Sequence, residues 1–304
     1  MGKSEIHQVL EAKPIYCFAF NKDRTAGTLA EHGQTVTSID WAPETNRIVT
    51  CGQDRNAYVW VNTDGEWKPT LVLLRVNRAC TYVKWSPKED KFAVCTGARM
   101  VSICNFEEDN DWWVSRHIKE DIRSTTTCVA WHPNNLIVAI GSSDFKVRLF
   151  GAAVKGVDKR PADCAWAPGS KLKSFGGLLH EFASPGSGWV HSVAFAPSGD
   201  KLAWVSHASS ICAVNSAALD TVVSTPIAAK KTGTLDEAKV VKAKENSAMS
   251  KFKLMDAKGN TDKTGLDTVH QGAVTHMIPF AGEVGAYSRV ATSGKDGKIV
   301  VWDL

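Results

Sequence analysis

Along most of the chain, apolar residues alternate with polar ones in short runs bounded by Pro, Asn, Asp and Gly. VTSIDW (36–41), RIVTCG (47–52) and AYVW (57–60) are rich in β-branched and aromatic residues. A period of two sends successive side chains to opposite faces of a strand, and the residues between the runs are turn formers. The pattern predicts a meander of short antiparallel strands.

The meander repeats. WAPETNRIVTCGQDRNAYVW (41–60) and WHPNNLIVAIGSSDFKVRLF (131–150) both place Pro two residues after Trp, Asp thirteen after it (Asp54, Asp144) and an aromatic nineteen after it (Trp60, Phe150). Trp41, Trp85, Trp131 and Phe195 anchor successive units at intervals of 44, 46 and 64 residues. The first two intervals match one β-propeller blade of about 40–45 residues. The third is longer because residues 151–185, rich in Gly, Pro, Lys and Ser, read as an inserted loop. One such sheet leaves two faces and two edges bare, whereas sheets set radially cover each other's faces and leave only short edges. The expected fold is therefore an all-β propeller forming a single domain over 1–304.

Two units carry a further order of residues. His32, Thr50, Asp54 and Trp60 stand in one, and His270, Thr292, Asp296 and Trp302 in the other, with Thr, Asp and Trp spaced by four and then six. This resembles the WD-repeat signature, in which these four side chains form a hydrogen-bonded chain inside a blade. Burying a turn Asp is costly unless its oxygens are satisfied, and an indole N–H can close such a chain. His, Thr and Asp together also suggest a nucleophilic triad. The recurrence of Thr and Asp at the same spacing behind a His, and the replacement of the Asp by Ala98 and Ala208 in other units, favour architecture over catalysis.

Composition narrows the function classes. With 43% hydrophobic and 22% charged residues and a net charge of +4, the sequence fits a soluble globular protein without the basic excess of a dedicated nucleic-acid binder. MGKSEIHQVLEAKP lacks the apolar stretch of a secretory signal and no run is long enough for a membrane span, so a cytosolic location is expected. Eight Cys without a CxxC pair argue against zinc and a disulfide framework, and Cys51 and Cys95 read as small buried thiols. No HExxH, P-loop or GxGxxG is present, and GGLLHEFASPGSGW (176–189) lacks phosphate-binding spacing. No enzyme activity and no cofactor or metal are expected.

Longer stretches carry a closer likeness. DRNAYVW, NDWWVS and LAWVSH, within 41–60, 67–119, 131–150 and 188–207, resemble the WD-repeat subunit 1 family of the actin-related protein 2/3 complex. The resemblance covers most of 31–215 and resumes at 246–304. It implies a seven-bladed, non-catalytic scaffold in the assembly that nucleates branched actin filaments. The implied partners are the actin-related proteins and other subunits, the existing actin filament, and acidic segments of nucleation-promoting factors. The implied location is the cytoplasm and its actin cytoskeleton, at the cortex, in patches or in protrusions. A WD-repeat adaptor in another multiprotein assembly is the alternative. Two departures stand out: the first unit, anchored at Phe20, lacks about half a blade after Arg24, and the span between Phe195 and Pro279 is too short for the family's sixth blade.

Residues 226–265 break the strand pattern and read as a basic insert before the last blade. A short helix is expected near 247–256, where Met249, Phe252 and Met255 recur every three residues among Lys251 and Lys253. The resemblance makes this a protruding arm that inserts into a partner's groove; read from the residues alone, it is equally a linker whose Met and Phe dock back on the propeller. Arg75, Arg78, Arg99 and Arg123 fall near successive turns, either as a basic surface for acidic tails or as ordinary solvated arginines. Trp112 and Trp113 read either as an aromatic contact site or as packing, with one of them between blades.

Overall fold

The computed structural model describes residues 29–159, 164–167, 175–184, 188–207, 210–219, 221–226, 240–242, 273–280, 289–295 and 299–303. They form an all-β structure of antiparallel meanders. The first sheet contains β1 (Val36–Ala42), β2 (Arg47–Gly52), β3 (Ala57–Thr63) and β4 (Glu66–Val72), and the second β5 (Cys80–Trp85), β6 (Lys91–Thr96), β7 (Val101–Glu107) and β8 (Trp112–Ile118). The third contains β9 (Thr126–Trp131), β10 (Ile137–Ser142), β11 (Lys146–Gly151) and β12 (Leu178–Ala183). A fourth holds β13 (Val190–Phe195), β14 (Lys201–Ser206), β15 (Ser210–Asn215), β16 (Thr221–Pro226) and β17 (Val240–Lys242), and a fifth β18 (Val274–Phe280), β19 (Arg289–Gly294) and β20 (Ile299–Asp303).

The innermost strands β1, β5, β9, β13 and β18 touch in that order, which is the radial succession of propeller blades. The anchors Trp41, Trp85, Trp131 and Phe195 lie at the ends of those strands. Every residue of β6 and of β10 is buried, because each of these strands has a neighbouring sheet on both faces. The period of two divides them between cores. Phe92 and Val94 pack toward the first sheet with Trp85, Cys104 and Trp113, whereas Ala93 and Cys95 pack toward the third with Val129, Ile140 and Phe150. A third core, between the third and fourth sheets, is built around Phe195, Phe182 and Trp204. Trp113 is buried and Trp112 is 52% exposed. Cys51 and Cys95 are fully buried, and burial pushes both thiols well up from their ordinary value.

Two segments differ from the sequence expectation. The span 151–185 ends in a strand, β12, and Trp166 within it is fully buried against Phe195. LLHEFA buries Leu179 and Phe182, which are three residues apart and so show no period of two, and its flanks are rich in Gly and Pro. Within 226–265, β17 pairs with the outer edge of β16, Val222 opposite Val241. The helix expected near 247–256 and the first unit around Phe20, expected to lack about half a blade after Arg24, lie outside the described residues. Among the described residues no helix is long and apolar enough to cross a membrane.

Candidate functional site

The first sheet brings four distant side chains together. His32 Nδ1 lies 2.9 Å from Asp54 Oδ2 and its Nε2 lies 2.8 Å from Thr50 Oγ1, while Trp60 Nε1 donates to that hydroxyl at 2.9 Å. An indole only donates and a carboxylate only accepts, so with a neutral ring every donation runs one way: Trp60 to Thr50, Thr50 to His32, His32 to Asp54. Asp54 also accepts the backbone N–H of Gly33 and of Asn56, both at 3.2 Å, and so ties the β2–β3 turn to the segment before β1. The His32 and Asp54 side chains are 4% and 10% exposed. A Cβ at Gly52 would sit 2.9 Å from Asp54 Oδ1 and from His32 Nδ1, so the turn closes only over glycine. Thr50 Oγ1, already engaged by Trp60 and His32, has no opening to a substrate and is badly placed to be a nucleophile.

For the second quartet, Thr292 is buried on β19, and Trp302 pairs with Val290 through the backbone of β20. His270, Asp296 and the Trp302 side chain lie outside what is described. The arm residues Met249, Lys251, Phe252, Lys253 and Met255 lie outside it as well.

A set of blade-to-blade links escaped the sequence reading. Thr37 Oγ1 donates to Cys80 O at 3.0 Å, Thr81 Oγ1 to Thr126 O at 2.7 Å, and Thr127 Oγ1 to Val190 O at 2.5 Å. Each hydroxyl stands four residues before its anchor and reaches the first residue of the next innermost strand. The recurrence was visible in the sequence, but a lone Thr in a strand carries no mark of pairing between sheets.

The turns at the other end of these strands are linked too. Glu89 accepts the backbone N–H of Glu44 at 3.0 Å and of Thr45 at 2.7 Å. Burial pushes its carboxyl up, but bonds from the Thr45 hydroxyl and the two N–H groups outweigh this and hold it below the usual range. Asn135 Oδ1 accepts from Lys88 N at 3.1 Å in the next turn. The residue in the same place one sheet later is Gly199, and there His132 takes over, its Nε2 donating to Gly199 O at 3.0 Å and its Nδ1 accepting from Asn134 N. Burial outweighs these bonds and lowers the His132 pKa.

In an antiparallel meander alternate turns lie at the same end, which places the β2–β3, β4–β5, β6–β7, β8–β9, β10–β11 and β12–β13 connections on one face. Arg55, Arg75, Arg78, Arg99 and Arg123 stand exposed in these connections. No ion pair between described residues involves them. Phe145 and Trp189 are exposed on the same face. The arrangement offers unpaired guanidinium donors beside aromatic surface, suited to an acidic polypeptide.

The comparisons agree with this geometry. The family described as "WD domain, G-beta repeat" matches residues 23–61 and 116–150. Actin-related protein 2/3 complex subunit 1A-A of Xenopus laevis is 41% identical, over 98% of this chain and 96% of its own length. Subunit 1 of Schizosaccharomyces pombe is 37% identical over the whole of both chains, and that of Saccharomyces cerevisiae 32% identical over 91% of this chain and 85% of its own. The Xenopus alignment runs over 364 positions although this chain has 304 residues, so it opens gaps opposite this chain.

Proposed function

The chain belongs to the family of subunit 1 of the actin-related protein 2/3 complex, and from that premise we propose that it is a non-catalytic scaffold in such a complex, supporting nucleation of branched actin filaments in the cytoplasmic actin cytoskeleton. The observation that carries this reading is identity of 41% spread over 98% of the chain, which includes the stretches between the generic repeats. The closed quartet of the first sheet supports the non-catalytic part, since its polar atoms are spent on one another.

In this reading the partners divide between two surfaces. The basic insert, through Met249, Lys251, Phe252, Lys253 and Met255, enters a groove on actin or an actin-related subunit. The face bearing Arg55, Arg75, Arg78, Arg99 and Arg123 receives acidic segments of nucleation-promoting factors, with Trp189 and Phe145 as apolar ground.

Size exclusion of cell extract tests the assembly: the chain is expected to co-elute with two actin-related proteins, and elution as a free monomer refutes the scaffold. Co-sedimentation with actin filaments tests the arm, because Met249, Phe252 and Met255 all changed to Ser should lose binding. Equal binding by that variant removes the arm from the interface.

A further inference from the structure

Four of the five innermost strands carry a threonine four residues before the anchor position, namely Thr37, Thr81, Thr127 and Thr275; in the fourth sheet that place is taken by His191. His191 lies in the irregularity of β13 between Val190 and Ser192. Its Nε2 is 3.2 Å from Nδ1 of His207, with ring centroids 5.5 Å apart. His207 follows β14, held by its backbone N–H to Trp189 O at 2.9 Å. From the fifth sheet, His276 on β18 and Lys295 just after β19 bear on the same imidazole. His207, His276 and Lys295 are exposed and His191 is half-buried.

Two imidazole nitrogens at hydrogen-bond distance tolerate one proton between them. When both facing nitrogens are protonated, the rings must part, which leaves two N–H donors in need of an acceptor. Burial, and then the positive charge of His207, Lys295 and His276, resist that protonation and hold His191 below the ordinary imidazole range. Among the described residues that act on His191 there is no carboxylate to relieve the charge. The missing component of such a cluster is an anion.

We propose that His191, His207, His276 and Lys295 form a proton-gated site for a phosphoryl oxyanion, at the end of the innermost strands where the fourth and fifth sheets meet. A phosphoryl group offers three acceptor oxygens and a charge of about −1.5 to −2 near neutrality, which suits several basic side chains contributed by two sheets better than the two oxygens of a carboxylate do. Binding draws protons onto the histidines, so the site strengthens as pH falls through the imidazole range. The inference goes beyond the assembly reading and stands whether or not that reading holds, because every group in the site belongs to this chain.

The test follows the histidine ring signals of the full chain by NMR across about pH 8 to 5, in chloride with and without inorganic phosphate. Phosphate should raise the His191 pKa, and phosphate affinity should climb roughly tenfold per pH unit for each proton taken up. His191→Thr installs the residue that the other four strands carry, so it should fold and lose the pH dependence, while Lys295→Gln should weaken binding at every pH. A phosphoserine peptide run in parallel separates the sources: tighter binding of the peptide assigns a modified side chain, tighter binding of the free ion assigns phosphate itself. An equal response to acetate overturns the phosphoryl assignment. A His191 titration indifferent to phosphate, or pH dependence unchanged in His191→Thr, overturns the site.

Discussion

The first and third sheets share the same sequence pattern from Trp to aromatic, and they satisfy the same turn aspartate in opposite ways. In the first, Asp54 ends a hydrogen-bonded chain drawn from His32, Thr50 and Trp60. In the third, Ile140 stands in the place of Thr50 and Phe150 in that of Trp60, so no such chain can form. Asp144 pairs instead with Arg148, at 2.8 Å, and accepts from Ser142. Arg148 in turn reaches Glu181 on β12 at 2.7 Å, and Lys146 also binds that carboxylate. One aspartate is held across the strands by a hydrogen-bond relay and the other by an ion network along the sheet. Where the turn carries an aspartate, its carboxylate is partnered, and the means is left open; Ala98 and Ala208 stand at the same sequence position in the units of the second and fourth sheets.

The largest effect should come from breaking the network. Arg148 is 3% exposed, Asp144 17% and Glu181 35%, so Arg148→Met strands Asp144 and leaves Glu181 to Lys146 alone, and it is expected to cost about 3–5 kcal/mol, less to the extent that water reaches the two carboxylates. Urea unfolding of the full chain measures it. Removing the stranded charges as well, in Arg148→Met with Asp144→Asn and Glu181→Gln, should recover most of the loss; failure to recover would mean that Arg148 acts by packing.

The relay should be somewhat less sensitive. Thr50→Val leaves the Trp60 N–H without an acceptor and the His32 ring without its partner, at about 2–4 kcal/mol in the same measurement. Gly52→Ala forces a methyl against Asp54 and His32 and is expected to cost about 1–3 kcal/mol. If Gly52→Ala is neutral, the turn has room to move and the relay is not rigid.

Acidification should separate the links by chemistry with the smallest effects. The folded pKa of His132 is lowered from 6.5 by burial, so the unfolded chain binds more protons. Its contribution is complete above 6.5 and is lost as pH falls from there toward the folded value, and His191 acts in the same direction. Burial raises the carboxyls of Asp144 and Glu181, but for Asp144 the bonds from Arg148 and Ser142, and for Glu181 those from Lys146 and Arg148, outweigh it and set both below their ordinary 3.8 and 4.5. Their contribution is present above those values and disappears as pH falls through the folded ones. Thermal unfolding should therefore weaken in two steps, first below about 6.5 and then in the carboxylate range, and His132→Asn should remove part of the first step alone.

Much of this was legible in the linear text because the text repeats. Strand period, turn residues and the anchors at Trp41, Trp85, Trp131 and Phe195 each report a local requirement, and a strand with covered faces must be apolar on both. The quartet of the first sheet could be read for the same reason, since Thr, Asp and Trp at fixed offsets behind a His in two units make a pattern that chance seldom supplies. What escaped had no such spacing. Arg148 and Glu181 are 33 residues apart, and Glu181 lies in a segment whose flanks read as loop. Trp166 gave no sign that it would be fully buried, because one tryptophan among Pro, Ala and Gly has no period to place it.

The amino-acid order alone determined the blade, its turns and the family, because these depend on side-chain alternation and on text long enough to be specific. Only the tertiary structure decided which residues of different blades meet: Thr37 with Cys80, Glu89 with Thr45, His132 with Gly199, and His191 with the charges of the fifth sheet. The physical reason is distance along the chain. Hydrogen bonding and Coulomb attraction act over a few ångströms, and which groups come within that range is set by how the sheets pack.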